Sequence, residues 1–156
     1  MANAVLSIIS SVIGGLLVLA GQFFARRAED RRVWLIRLQE AAGDLATSYL
    51  QEIAALNDRR RVGGAMDSVP AKTYVVDRQK AVGRFRTLPG SAALEAERYA
   101  MGPAIDKVWQ AWGASDDEFQ QVYTAARAVI ADFMAEVAAY VMKQGTHRRS
   151  RRIGQR

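Results

Sequence analysis

AVLSIISSVIGGLLVLAGQFFA, residues 4–25, holds no ionisable side chain. Coiled as a helix at 1.5 Å per residue it reaches roughly 33 Å, enough to cross a hydrocarbon core of about 30 Å. A helix of this length in water keeps a polar stripe on its solvent side. Here Leu6, Ile8, Ile9, Val12, Ile13, Leu16, Leu17, Val18 and Leu19 cover nearly the whole circumference. The stretch predicts a membrane-spanning helix within residues 1–25. A cleavable secretory signal is the competing reading, but such signals open with basic residues and have a shorter apolar centre. Met1-Ala2-Asn3 carries no basic side chain.

Basic residues follow the span instead, as Arg26, Arg27, Arg31 and Arg32, with Glu29 and Asp30 between them. Arginine beside a span is retained on the cytoplasmic side. The expected topology in the cell inner (plasma) membrane is therefore single-pass, with the amino terminus outside and the rest of the chain in the cytoplasm. Phe23 and Phe24 fall at the membrane boundary. Ser7, Gly14 and Gly21 recur every seven positions, with Ser11 and Ala25 close to the same face. Small side chains let helices approach closely in lipid. Those five residues form a candidate helix–helix seam for a homo-oligomer, although glycine is common in membrane helices in any case.

Beyond the span, no proline occurs between Arg26 and Val69, so nothing forces the helix to end at the membrane. Leu35, Leu38, Ala42, Leu45, Tyr49, Ile53 and Leu56 lie three and four apart. This is an amphipathic stripe, with Arg37, Glu40, Asp44 and Glu52 placed largely off it. Val62-Gly63-Gly64 has loop composition. A further helix is expected from about Ser68 and Pro70, buried through Tyr74, Ala81, Phe85 and Leu88 and closed by Leu88-Pro89-Gly90. Ser91 then caps the next helix, in which Gly102-Pro103 predicts a kink or short break before Ile105, Val108, Trp109 and Trp112. Ser115 and Glu118 have the spacing of a capping box. The stripe after it is Phe119, Val122, Tyr123, Ala126, Ile130, Phe133, Met134, Val137 and Val141, with Gly145 as the expected stop.

The fold class expected is all-α, with one transmembrane helix (1–25) continuing into a cytoplasmic antiparallel helical bundle (26–144) and a basic disordered tail (145–156). Lys143, Arg148, Arg149, Arg151, Arg152 and Arg156 account for the whole formal excess of +6. Basic groups of this kind are drawn to anionic lipid and also to nucleic-acid backbone. Arg26, Arg27, Arg31, Arg32, Arg148, Arg149, Arg151 and Arg152 are the candidate lipid contacts.

Chemistry is poorly provided for. There is no cysteine and one histidine, His147, set among arginines. A lone histidine in positive surroundings makes neither a metal centre nor a base–nucleophile pair. Gly63-Gly64 lacks the lysine and hydroxyl of a phosphate loop. Asp132 with Glu136 and Glu40 with Asp44 are carboxylate pairs one turn apart, as solvated helix faces commonly carry. Trp109 with Trp112 forms either a ligand wall or, more commonly, part of a core. No enzyme activity, cofactor or metal is expected.

GGLLVLAGQFFARRAEDRRVWLIRLQEA (residues 14–41) and the Leu88-Pro89-Gly90 turn resemble a loose set of small uncharacterised actinobacterial membrane proteins. The resemblance implies one span, an Arg-rich juncture and a cytoplasmic helical region, and carries no functional residues with it. The leading expectation is a non-catalytic membrane protein whose bundle binds a cytoplasmic protein partner or assembles with further copies. The alternatives are a membrane-perturbing or pore-forming effector and a membrane tether for nucleic acid.

Overall fold

The computed structural model describes the backbone of residues 2–146 and the side chains of residues 19–145, apart from those of 24 and 68. Four α-helices form it: α1 (Ala2–Arg61), α2 (Ala71–Arg86), α3 (Glu95–Gln110) and α4 (Asp116–Thr146). Short 3₁₀ turns occupy Met66–Ser68, Ser91–Leu94 and Ala111–Gly113. No strand occurs among the described residues. By its contacts the chain divides into two compact units, Met1–Leu35 and Ile36–Arg156.

The first unit is helix throughout its described length, which accords with the absence of proline and of any loop signal. The helix expected to carry on past residue 25 does so, to Arg61.

In the second unit the four helices run up, down, up and down. Along α1, Asp44 pairs with Arg84 and Glu52 with Arg78, so α2 returns antiparallel to α1. Asn57 meets Gln120, which sets the end of α1 beside the start of α4. Leu38, Leu45, Ile53 and Leu56 are fully buried, as are Phe85, Met101, Ile105, Val108, Phe119 and Phe133. Burying such a side chain contributes about 1.5–3 kcal/mol before conformational entropy is subtracted. Phe85 and Phe133 meet edge to face with centroids 5.7 Å apart, the arrangement that brings a ring's positive edge to its neighbour's negative face.

Local departures from the sequence reading have physical reasons. Glu52, expected largely off the stripe, is buried, because two donors from other helices neutralise it. Ser91 does not cap α3: its hydroxyl donates to the Arg86 carbonyl, and a 3₁₀ turn intervenes. Gly102-Pro103 does not break α3. Pro103 is exposed, so the hydrogen bond it cannot donate is lost on the solvent side while Met101 and Ile105 hold the helix from within. α4 runs to Thr146, one residue past Gly145. The capping box at the start of α4 is formed: the Glu118 amide donates to Ser115 Oγ and the Ser115 amide to Glu118 Oε2.

Gly90 (φ 88°) closes the α2–α3 corner in left-handed backbone, which glycine adopts without steric cost. A Cβ there would also lie 2.7 Å from the Tyr140 hydroxyl.

Candidate functional site

At the amino-terminal end of the described side chains, α1 exposes apolar groups where a helix in water would bury them. Leu19 is 63% and Phe23 61% exposed, and Ala20, Gly21, Gln22 and Ala25 are exposed as well. Arg26, Arg27 and Arg32 follow, all exposed, with Arg31 half-buried and the acids Glu29 and Asp30 exposed between them. Among the described residues, no helix is long and apolar enough to cross a membrane. The side chains of residues 4–18, most of the uncharged stretch, lie outside the described ones.

Of the candidate seam, Gly21 and Ala25 are exposed. A Cβ added at Gly21 would meet nothing within 4 Å among the described residues. The side chains of Ser7 and Ser11, and the surroundings of Gly14, lie outside the described residues. So do Arg148, Arg149, Arg151 and Arg152.

Three polar clusters organise the bundle. The first centres on Glu52, whose carboxylate is only 2% exposed. Arg78 Nη1 of α2 donates to its Oε2 at 3.0 Å, and Trp109 Nε1 of α3 donates to its Oε1 at 2.8 Å. One carboxylate on α1 thereby ties two other helices. The Arg78 guanidinium also sits 5.3 Å from the Tyr49 ring centre. Burial pushes the Tyr49 phenol above its usual value, with Arg78 opposing.

Arg60 holds the second cluster. The helix end and 3₁₀ turn of the α3–α4 connection present carbonyl groups with acceptor capacity to spare, and the Arg60 guanidinium collects them. Nη1 donates to Ala111 O at 3.1 Å and to Trp112 O; Nη2 donates to Ala114 O at 2.6 Å and to Asp116 Oδ1 at 2.9 Å. Its face covers the Phe119 ring at 4.5 Å. Only a planar fork of donors serves this many acceptors at once.

The third lies at the α2–α3 corner. Glu95 accepts from Arg98 Nε at 2.7 Å and from Arg86 Nη2 at 2.6 Å, and both guanidinium groups flank the Tyr99 ring. The Arg98 hydrogen bond, with Arg86 adding to it, lowers the Glu95 carboxyl from 4.5 to about 2.

Trp109 and Trp112, expected in the core, are both half-buried. Trp109 sits at the core's edge with its N–H on Glu52. The carboxylate pairs Glu40/Asp44 and Asp132/Glu136 are exposed. Between α3 and α4 an open, mostly apolar groove of about 410 Å³ is lined by Ala100, Pro103, Ala104, Val122, Ala125 and Val129. Sequence reasoning missed the roles of Glu52 and Arg60. Their partners lie 26 to 57 residues away along the chain, beyond any local periodicity.

No family model, curated protein or solved structure matches the chain.

Proposed function

We propose that the chain is a non-catalytic, single-pass inner-membrane protein whose helical bundle is a cytoplasmic module for assembly or partner binding. The observation that carries this reading is the apolar end of α1, where Leu19 and Phe23 are well exposed a turn or two before Arg26, Arg27 and Arg32. An isolated helix of such composition is marginal in water, and lipid supplies the apolar surroundings its residues need. Arginines beside a span favour the cytoplasmic side, which supports a cytoplasmic bundle, and Arg148, Arg149, Arg151 and Arg152 would add a second contact with anionic headgroups.

Self-association through Ser7, Ser11, Gly14, Gly21 and Ala25 fits the same reading, because none of the described residues crowds Gly21 and small side chains let helices approach closely. Glu52 and Arg60 are both committed to ties between elements of the bundle. The groove between α3 and α4 is its concave apolar surface for a partner.

Alkaline carbonate extraction of membranes from cells expressing the full chain tests the proposal. Retention in the membrane pellet, and release by detergent, is the expected result. Release by carbonate alone overturns it. A Leu16→Arg substitution should move the chain toward the soluble fraction while α-helical content persists.

A further inference from the structure

The helix α2 differs from its three neighbours in how it is held. It has five basic residues, Lys72, Arg78, Lys80, Arg84 and Arg86, against the single acid Asp77. Only Ala81 and Phe85 of its side chains are fully inside. By contrast, α1 buries Leu38, Leu45, Ile53 and Leu56 and α4 buries Phe119, Ile130, Phe133 and Val137.

Acids on other elements compensate. Asp44 of α1 takes Arg84, Glu52 of α1 takes Arg78, and Glu95 of α3 takes Arg86. The Asp44–Arg84 pair is well exposed at both ends, 58% and 75%, and the Arg86 side chain is about half exposed, at 49%. Exposed pairs are screened by salt, whereas apolar burial is not weakened by it. The connections on either side of α2 each contain a left-handed glycine, Gly63 (φ 67°) just after α1 and Gly90 (φ 88°) before α3.

We infer that α2 is an electrostatically latched strap: its docking onto α1 and α3 weakens with ionic strength while the α1–α3–α4 remainder does not. Screening loosens Arg84 from Asp44 and Arg86 from Glu95. Phe85 then leaves the Phe133 ring, and Glu52 keeps Trp109 as its partner. The inference concerns the bundle alone and stands whether or not residues 1–25 lie in lipid.

Amide hydrogen exchange of the full-length protein in nonionic detergent tests it, comparing about 20 mM with about 0.5 M sodium chloride, a range over which the screening length falls several-fold. Each exposed pair is worth about threefold in the opening equilibrium, so amides of residues 71–86 should exchange about tenfold faster at high salt. Those of residues 119–137 in α4 should be unchanged. The double variant Asp44→Asn, Glu95→Gln should reach the fast rate already at low salt and lose most of its salt dependence. Salt-independent exchange in α2, equal acceleration of α2 and α4, or a variant as salt-dependent as the parent overturns the inference. Protection retained in α4 shows that the variant is folded; if it is lost, the salt series on the unsubstituted chain decides.

Discussion

The indole Nε1 of Trp109 donates a 2.8 Å hydrogen bond to Glu52 Oε1, joining residues 57 positions apart in the chain. With Arg78 on the other oxygen, Glu52 is a buried carboxylate that three helices share. A buried ion pair adds little stability over an apolar substitute, yet breaking one is costly. Glu52 therefore fixes how α1, α2 and α3 register more than it strengthens the bundle.

Glu52→Ala should destabilise the protein by about 3 kcal/mol, since it strands the Arg78 guanidinium and the Trp109 N–H. Glu52→Gln keeps an acceptor for Trp109 and should cost about 1–2 kcal/mol. Urea midpoints of the full chain in nonionic detergent, followed by helical circular dichroism, give both values. Equal losses for the two variants would remove the hydrogen-bond argument.

Arg60→Lys should cost about 1–2 kcal/mol although the charge is kept, because an ammonium cannot serve Ala111, Ala114 and Asp116 together. Amides around residues 111–116 should lose protection first. A neutral result in the same urea series would mean that the fork geometry is unimportant.

Acid should weaken the bundle in a defined window. Glu95 titrates near 2 when folded against 4.5 in the open chain, and hydrogen bonds from Ser115 lower Glu118 in the same direction. A depressed carboxylate contributes its stability above the unfolded value and loses it as pH falls toward the folded one. Stability should therefore drop between pH 4.5 and about 2. Glu95→Gln should be less stable than the parent at neutral pH and show a shallower loss across that window. Urea midpoints measured from neutral pH down to about 2 check it.

Gly21→Leu separates folding from association. Among the described residues nothing lies within 4 Å of a Cβ at this position, so the unfolding midpoint of the bundle should not move. Crosslinking between copies in native membranes should fall about fivefold or more if the small residues form a seam. Undiminished crosslinking would place the contact elsewhere.

Much of the helix pattern was legible because it is local. The Ser115–Glu118 box lies within one turn, and its hydrogen bonds form as the spacing implied. The stripes through Leu38 to Leu56 and Phe119 to Val137 reach the core for the same reason. Glu52 was misplaced because periodicity sorts residues by polarity, whereas a carboxylate enters a core when donors from other helices meet it. Arg60 sat in a basic run, Asp58-Arg59-Arg60-Arg61, and only the tertiary position of the α3–α4 connection distinguishes it from its neighbours. Gly102-Pro103 carried a local breaking signal that burial of Met101 and Ile105 overrode.

Solvent accessibility along α1 tests the central claim most directly. The chain has no cysteine, so single cysteines at Ile8, Val12, Leu16, Leu19, Glu29 and Val33 report one position at a time. In intact inner membranes treated with a maleimide that crosses the outer barrier, the first four should stay unlabelled until detergent is added. Those at 29 and 33 should label readily once the cytoplasmic side is opened. Ready labelling at positions 8 to 19 without detergent would contradict the account, because it would put water where the reading puts lipid.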